Sequence, residues 1–577
     1  MTAEPIWFGS SERPLFGWLH LPDSGSAGSA VVLCPPVGRD YLQSHYAMRR
    51  LAIRLAERGF CVLRIDYDGT GDSSGSDADQ ARVRSWLASV AAAIEYMRRS
   101  GAARVSLVGM RFGATLAAVA AESDGAIEAL VLWDPCTSGR TFLNEQRTLF
   151  AISTGGTPTR LDGSVETLGF VYSRATVSDL GSVGIPMIRG RLAARVLVLQ
   201  RPDRIADRAL VERLASERVD WDDATGQDML IDTWAPNVRL PDRAIDRIGA
   251  WLSHVTSGGW VAFSRPTASK DATVARVPSG DGVIERPVFL GPTALFGVLT
   301  EIPDVASGPT ILLLSVATEH HVGPARLWVQ LARKWAAAGL RVVRLDISGV
   351  GESPVRYGQP EFVTYPPEAF DDVAEVAIAL SPDDPSNVVL MGLCSSAYQA
   401  IEGALSLRPR GVVALNPMLS FRPPELAEGK GTDPRRQVAL PLTALTQVFA
   451  GSGPLDRLRR RLPHLGWRAR FLLARDSRPS KWLRELTGEV DLLLVCGDRE
   501  ARPFQEALSP RATAQLNHFG RFRFEYIPGL DHGLLVATGR EIVSTIVSEH
   551  VVQRYGPARA HERLPLDVQR AMPPKSS

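Results

Sequence analysis

One short turn in the second half of the chain has the residue types of a catalytic nucleophile. Cys394 lies in the sequence Gly-Leu-Cys-Ser-Ser, which begins at Gly392 and follows the apolar run 388–391. A strand, a tight turn with small residues on both sides of a nucleophile, and a helix form a nucleophile elbow. Ser396 stands where glycine is usual, and serine is small enough for the turn. The pattern predicts that the Cys394 thiolate attacks a carbonyl carbon.

Two alternatives stay open at this turn. Cys394 could be a small buried residue without a chemical role, because cysteine is commonly buried in proteins. Ser395 could be the nucleophile if the turn were shifted by one residue, although that shift would spoil the spacing of the small residues. The distinction matters because a free thiol becomes reactive only where an adjacent imidazolium or a helix N-terminus favours the thiolate.

The first half of the chain contains a matching turn with an unreactive apex. Gly109 and Gly113 flank Arg111, and an apolar run precedes the turn at 105–108. Arginine stays protonated and cannot act as a nucleophile. A helix N-terminus disfavours a cation, so Arg111 requires either a nearby carboxylate or a role in binding an acidic or phosphorylated group. A relic of a lost site and an anion-binding residue are the two interpretations.

The elements that would position these turns occur twice. The order of apolar runs, helical stretches and glycines over residues 15–73 returns over 295–353, shifted by 280 residues. Each copy continues with short, continuous apolar runs that alternate with helical patterns, which is typical of parallel strands buried on both faces. Gly59 and Gly339 each end a helix before a strand. The sequence therefore predicts an α/β fold made of two tandem domains, each with a mostly parallel sheet flanked by helices.

One long segment in each copy interrupts the alternation. These segments lie near 137–190 and near 418–488, after Asp134-Pro135 and Asn416-Pro417. Both are too long for connecting loops, and insertions of this length usually form lids or caps over a substrate. We predict a first domain over 1–258, a linker over 259–280, a second domain over 281–555 and a flexible tail over 556–577.

The two copies resemble the α/β-hydrolase fold. The first is most similar to the serine-aminopeptidase-like and exosortase-associated hydrolases, through the loop 34–38, the turn 66–73 and Asp134-Pro135. The second resembles an α/β-hydrolase with a cysteine nucleophile. In this family the chain order is nucleophile, acid and histidine. The resemblance implies a triad of Cys394, Asp498 and His532, with Asp531 as the alternative acid.

The resemblance also implies an oxyanion hole in the second copy. One backbone N–H would come from Ser395 and another from the loop after the first central strand, at Val316 or Ala317. His320 and His321 lie beside that loop, where one of them could touch substrate, although solvated loop histidines are the alternative. Apart from Glu319, no further ligand lies at a suitable spacing, so we expect no metal site and no cofactor.

A search of the first copy for the corresponding nucleophile, acid and histidine predicts that this copy is catalytically silent. It keeps an acid, Asp203, at the position that corresponds to Asp498, but no histidine occurs between His45 and His254. Aligning the last helices of the two copies places Ala235 opposite His532. Both the base and the nucleophile of this copy are therefore missing.

Composition excludes several other classes of function. The chain has 577 residues and a net charge of +2, so no global field attracts nucleic acid or an anionic membrane. The first residues do not form a signal peptide, no run of about 20 apolar residues exists, and the five cysteines contain no CxxC pair. We expect a cytoplasmic protein without disulfides, with homodimer formation left open.

The predicted function is a cysteine-dependent hydrolase that cleaves an ester, thioester or activated acyl substrate through an acyl-thioester intermediate. The substrate would be a small acyl compound, free or attached to coenzyme A or a carrier protein. An acyltransferase or cyclase that uses the same intermediate is one alternative. A non-catalytic binding or assembly protein is the other, because neither turn contains the ordinary serine.

Overall fold

The computed structural model contains two large sheets, one in each copy of the repeat. It describes residues 2–23, 29–205, 207–232, 238–256, 275–276, 282–364, 366–418, 483, 485–486, 488–507 and 520–557. Most of the predicted linker, most of the second predicted lid segment (419–482) and the tail beyond 557 lie outside the described residues. In the described part of the chain, no helix has the length and apolar composition needed to cross a membrane.

The first sheet has eight strands in the order β1-β2-β4-β3-β5-β6-β9-β10. Strands β3 to β6, β9 and β10 pair in parallel, whereas β1 and β2 are antiparallel. The strands of the N-terminal copy, including the separate hairpin β7–β8, are β1 (Thr2–Gly9), β2 (Pro14–Leu21), β3 (Ser29–Cys34), β4 (Cys61–Ile65), β5 (Arg104–Met110), β6 (Ala129–Trp133), β7 (Val165–Glu166), β8 (Val171–Tyr172), β9 (Arg195–Gln200) and β10 (Val219–Asp223).

The second sheet has nine strands in the order β11-β12-β13-β15-β14-β16-β17-β18-β19, and its strands from β15 to β19 are parallel. Strand β11 lies inside the predicted linker and pairs with β12, so this part of the chain joins the second sheet. The strands are β11 (Ala275–Arg276), β12 (Ile284–Leu290), β13 (Leu295–Glu301), β14 (Thr310–Leu314), β15 (Val342–Leu345), β16 (Val388–Leu393), β17 (Gly411–Leu415), β18 (Asp491–Cys496) and β19 (Phe522–Tyr526).

Helices cover both sheets. They are α1 (Arg39–Glu57), α2 (Arg82–Arg99), α3 (Phe112–Asp124), α4 (Gly139–Thr154), α5 (Arg174–Gly181), α6 (Arg208–Leu214), α7 (Asp228–Ile231), α8 (Asp242–Val255), α9 (Leu327–Ala337), α10 (Ala369–Leu380), α11 (Ser395–Leu407), α12 (Asp498–Ala507) and α13 (Ala537–Tyr555). The predicted α/β fold with two mostly parallel sheets is confirmed. The central strands are buried along their whole length, as their continuous apolar composition requires.

The repeat is visible in matching hydrogen bonds. The backbone N–H of Phe16 donates to Ser73 Oγ at 2.8 Å, and that of Phe296 donates to Ser353 Oγ at 2.9 Å. Gly59 and Gly339 both have positive φ values, 92° and 89°, at the ends of α1 and α9. This backbone conformation favours glycine, so the two residues end their helices as predicted.

The two copies pack against each other through reciprocal ion pairs. Arg64 Nη2 is 2.5 Å from Glu352 Oε1, and Arg344 Nη1 pairs with Asp72 Oδ1. The two arginines occupy matching positions in the repeat, as do the two acids. All four side chains are buried, and the ring of Trp18 packs on Phe296 with centroids 5.0 Å apart. The interface thus has an approximate two-fold relation, in which each copy supplies a cation to the other.

His321 lies at the centre of this interface rather than in a solvated loop. Its Nε2 is 2.7 Å from Asp72 Oδ2 of the N-terminal copy, and its Nδ1 is 2.8 Å from Asp346 Oδ2 of its own copy. Burial lowers the pKa of His321, but the two carboxylates outweigh that effect and raise the pKa to about 10. The ring is therefore a buried cation that bridges the two copies at neutral pH.

We expect His321→Gln to change how stability depends on pH. A histidine with a raised folded-state pKa stabilises the protein fully below its unfolded value of about 6.5, and this stabilisation is lost as pH rises through about 10. Urea denaturation of the wild type between pH 6.5 and 10 should show a decline in the free energy of unfolding that is smaller in the variant. Equal declines in the two proteins would contradict the bridging charge.

Candidate active site

The backbone places Cys394 at the apex of a strained turn between β16 and α11. Its φ and ψ are 56° and −110°, a conformation that side chains rarely adopt. A Cβ atom at Gly392 would lie 2.3 Å from the carbonyl carbon of Ser396, so the turn requires glycine at that position. The Ser396 hydroxyl accepts from Leu393 N at 3.0 Å and donates to Leu393 O at 3.1 Å. Serine therefore fits the turn and hydrogen-bonds its backbone.

Accessibility separates Cys394 from its neighbour and from the other cysteines. Cys394 is partly exposed and lines a cavity of about 730 Å³, whereas the remaining four cysteines are buried. Ser395 is 1% exposed, and its hydroxyl accepts a hydrogen bond from Ala317 N at 2.9 Å. The geometry therefore favours Cys394 over Ser395 as the reactive group of this turn.

The carboxylate that pairs with His532 is Glu500. His532 Nδ1 lies 2.8 Å from Glu500 Oε1, and Glu500 is buried in the first turn of α12. The predicted pairing of His532 with Asp498 is wrong. Asp498 is exposed, where it accepts hydrogen bonds from the Tyr526 hydroxyl and from Gly529 N. Asp498 is the first residue of α12, and two residues later the helix directs Glu500 towards the imidazole.

The imidazole of His532 bridges the thiol and the carboxylate. Burial lowers the pKa of His532, but hydrogen bonds to Cys394 and Glu500 outweigh that effect and raise the pKa to about 9. The ring is therefore charged at neutral pH when it contacts both partners. An imidazolium beside a cysteine favours the thiolate, which is the reactive form of the sulfur.

Asn416, which sequence analysis did not assign to the site, and Asp531, which it gave as the alternative acid, hold the loops that carry these groups. Asn416 Nδ2 donates to the carbonyl oxygens of Asp531 and His532 at 3.1 and 3.0 Å, and its Oδ1 accepts from Gly497 N. Asp531 accepts from the amides of Leu535 and Val536, so it shapes the turn before α13 and does not pair with the imidazole. The Asn-Pro pair after β17 was the available sequence signal for Asn416.

The predicted oxyanion loop lies beside the elbow. Val316 and Ala317 both line the cavity next to Cys394, and Ala317 has a φ of 51°. The N–H of Ala317 is engaged by the Ser395 hydroxyl, so this amide fixes the elbow against the loop. Ser395 is the first residue of α11, and first-turn amides of a helix have no acceptor within the helix.

The cavity at Cys394 is built by both copies. It has a volume of about 730 Å³ and lies where the two turns face each other, with Arg111 and Cys394 both in its wall. The C-terminal copy contributes the thiol, His532 and the loop 316–319. The N-terminal copy contributes α1, α4 and the hairpin segment, through Leu42, Tyr46, Asn144, Leu149, Ile152, Leu168 and Phe170. These seven are mostly apolar, but charged side chains such as Arg39, Asp40 and Glu145 also line this wall, and the predicted lid segment 137–190 supplies about half of its residues.

Family models match both copies. The alpha/beta hydrolase family matches residues 314–545, and the serine aminopeptidase family S33 matches residues 40–157. Both matches fall on the parallel sheets and elbows described above. The chain consists of two α/β-hydrolase domains in tandem. No curated protein sequence matches it significantly.

Solved structures of α/β hydrolases resemble single domains of this chain. Est1E from Butyrivibrio proteoclasticus, in a complex with ferulic acid, is 14% identical and covers 43% of this chain and 98% of its own, with a TM-score of 0.34. The Pyrococcus furiosus esterase Pf2001 is 14% identical and covers 48% and 93%, with a TM-score of 0.29. XC6422 from Xanthomonas campestris, an a/b serine hydrolase without a lid, is 16% identical and covers 49% and 97%, with a TM-score of 0.26.

In the N-terminal α/β-hydrolase domain, Arg111 has the backbone conformation of an elbow apex, but its side chain is not a nucleophile. Its φ and ψ, 54° and −125°, are close to those of Cys394. The guanidinium is 3% exposed and contacts Asp40, Asp134 and Glu145. These carboxylates offset the cost of a cation at the helix N-terminus. Arg111 is therefore already neutralised, and the prediction that it binds an anionic group is not supported by its surroundings.

His320 and His321 of the C-terminal α/β-hydrolase domain do not face the cavity. Both are buried at the interface between the domains. The ring of His320 stacks on His45 with centroids 3.7 Å apart, and its Nε2 lies 3.3 Å from the Tyr41 hydroxyl. The alternative of solvated loop histidines is wrong for both, and their burial at the interface does not support the prediction that one of them touches substrate. No group of three or more metal-ligating side chains is placed to bind an ion in the described residues.

Among the described carboxylates that line the cavity, Glu319 differs in its polar contacts. Asp40 and Glu145 pair with Arg111, and Asp232 pairs with Arg201. Glu319 Oε2 is buried and has no hydrogen-bond partner within the described part of the chain. Burial raises the pKa of Glu319 to about 7, against an opposing effect of Arg39. The cavity therefore contains a carboxyl group that is partly protonated near neutral pH.

Substitution of the two candidate acids distinguishes their roles. We expect Glu500→Gln to lower the pKa of His532 by about 1–3 units, because a carboxylate in contact with an imidazolium stabilises its charge. Asp498→Asn should leave the pKa of His532 unchanged, since Asp498 contacts Tyr526 and Gly529 instead. The measurement is an NMR titration of the His532 ring, assigned by comparison with His532→Ala. A larger decrease in Asp498→Asn than in Glu500→Gln would restore the sequence-based assignment.

Proposed function

We propose that the C-terminal domain is a cysteine-dependent acyl hydrolase with Cys394 as nucleophile, His532 as base and Glu500 as the acid that orients the imidazole. The observation that carries this proposal is the contact of His532 with both Cys394 and Glu500 at the wall of a cavity. The order of nucleophile, acid and histidine along the chain is retained, with glutamate as the acid. The substrate would be an ester, a thioester or another activated acyl compound.

The reaction would proceed in two acyl-transfer steps. The Cys394 thiolate, whose proton His532 holds, attacks the carbonyl carbon to form a C–S bond. The tetrahedral intermediate collapses, the bond to the leaving group breaks, and the leaving group takes the proton from His532. Water then attacks the acyl-thioester and gives one proton to His532, and the acid product departs as the thiolate is regenerated. The backbone N–H groups of Ser395 and Val316 are the proposed donors to the oxyanion.

Acyl transfer to an amine or alcohol is the second candidate function. Two features favour it: an acyl-thioester reacts readily with amines, and polar side chains such as Thr141, Asn144 and Arg204 lie in the cavity wall contributed by the other domain. An acceptor group could be held there while the acyl group is attached to Cys394. Cyclisation would be the intramolecular form of this reaction.

The test is the formation of a covalent adduct. We expect the wild type to gain the mass of one acyl group after incubation with a panel of N-acetylcysteamine thioesters and p-nitrophenyl esters of increasing chain length. Cys394→Ala should lose the adduct and turnover, by at least about 10³-fold, and keep the wild-type melting temperature. Cys394→Ser should retain a small residual activity. Cys61→Ala, at a buried cysteine of the N-terminal domain that does not line the cavity, is the matched control and should form the adduct and turn over substrate as the wild type does.

The same experiment separates the candidate functions. Addition of a small amine or alcohol to the acylated enzyme, compared with the urea-denatured acyl-enzyme, reports transfer, because the amide or ester appears in place of the free acid only when the folded enzyme catalyses it. An adduct that persists in Cys394→Ala would exclude the proposed nucleophile. The absence of any adduct or turnover across the panel, together with slow alkylation of Cys394, would favour the non-catalytic binding function.

A further inference from the structure

The hairpin β7–β8 of the N-terminal domain is firmly attached to that domain. Val165 pairs with Tyr172 and Glu166 with Val171 in antiparallel register. Glu166 Oε2 accepts hydrogen bonds from Arg160 Nε and Nη2 at 3.0 and 2.8 Å. Tyr172 is 2% exposed and packs in the core of the N-terminal domain. The hairpin is therefore a fixed projection of this domain rather than a loose loop.

The other side of the hairpin contacts the loop that carries His532. Glu166 Oε1 accepts a hydrogen bond from Ala537 N at 2.7 Å, and Gly169 N donates to Leu535 O at 2.8 Å. Glu166 is 7% exposed, so the first of these bonds is shielded from water. Gly169 has a φ of 91°, and a Cβ atom there would lie 3.0 Å from Ala325 Cβ of the other domain. The close approach of the two domains at this point depends on glycine.

The contact of Glu166 falls on an amide for which its own domain provides no acceptor in the described residues, whereas Leu535 O also accepts from Arg540 Nη1 at 3.4 Å. Asp531 accepts from the amides of Leu535 and Val536, and Arg540 Nη1 donates to Leu534 O. Ala537 is the first residue of α13, so its N–H has no acceptor within the helix. A carboxylate at a helix N-terminus is favourable, because it meets both the free amides and the positive end of the helix dipole. Glu166 supplies that carboxylate from the catalytically silent domain.

We propose that the β7–β8 hairpin positions His532, with Glu166 as the positioning residue, so that the N-terminal domain contributes to the reactivity of Cys394 through His532. The inference rests on the proposed function, in which His532 activates the thiol. Glu166 does not touch substrate; it acts through the backbone of residues 535–537. Loosening this backbone would let the imidazole leave its contacts with Cys394 and Glu500.

The experiment measures the rate at which iodoacetamide alkylates Cys394 at pH 7, quantified on the Cys394 peptide by mass spectrometry. We expect Glu166→Ala to lower the rate about tenfold and to lower the pKa of His532 measured by NMR. Glu166→Gln should restore most of the rate, because the amide oxygen can still accept from Ala537 N. Ser173→Ala removes the N-cap of α5, where the Ser173 hydroxyl hydrogen-bonds Thr176 within the N-terminal domain, and should leave the rate unchanged.

Further variants make each outcome decisive. Gly169→Ala displaces the hairpin tip from Ala325 without altering Glu166, and should lower the alkylation rate even if Glu166→Ala fails to fold. A melting temperature that falls in Glu166→Ala while the alkylation rate and the His532 pKa stay at wild-type values would mean a structural role only, and would overturn the inference. If His532→Ala alkylates as fast as the wild type, the proposed function fails instead.

Discussion

The reciprocal ion pairs between the domains are the constraint on which the rest of the structure depends. Arg64 meets Glu352, and Arg344 meets Asp72, in an interface from which water is largely excluded. Breaking such a pair leaves an uncompensated buried charge, at a cost of about 3–5 kcal/mol. The two faces can therefore pack only in the arrangement that satisfies both pairs. That arrangement sets the two elbows opposite each other and creates the cavity between them.

The two elbows have the same backbone conformation but different charged groups. At the elbow of Cys394, the titratable group is the imidazole of His532, which lies between the Cys394 sulfur and Glu500. At the first elbow a permanent cation, Arg111, takes the apex position and is neutralised by three carboxylates. His532 can exchange a proton at neutral pH, whereas Arg111 cannot. The elbow of the N-terminal domain therefore places fixed ion pairs in the wall of the shared cavity.

Much of the fold was predictable, because the strands and turns are encoded by local sequence. Continuous apolar runs marked the buried strands, the elbow at Cys394 followed from five consecutive residues, and His532 followed from its place in the chain. Glu500 could not be predicted, since Asp498 and Glu500 lie two residues apart and only the start of α12 decides which one faces the imidazole. The chain order of the family favoured Asp498, the acid nearest to β18, but the direction of α12 places Glu500 beside the imidazole.

The remaining errors share one physical cause, which is packing between residues distant in sequence. The buried position of His321 depends on Asp72, 249 residues away, and that contact exists only once the two domains pack together. The carboxylate partners of Arg111 come from α1, from the end of β6 and from α4. Spacing within one copy cannot reveal such neighbours. The shared cavity was unpredictable for the same reason.

Fusion of the two domains in one polypeptide has a consequence for how their sequences can diverge. Two separate chains that bury charges against each other would dissociate on dilution, whereas a covalent tether keeps the effective concentration of each partner high at any protein concentration. Within such a tethered pair, either half can accumulate changes that would abolish a free-standing enzyme. What the N-terminal domain must preserve in such a pair is the shape and charge of the face that packs against the C-terminal domain.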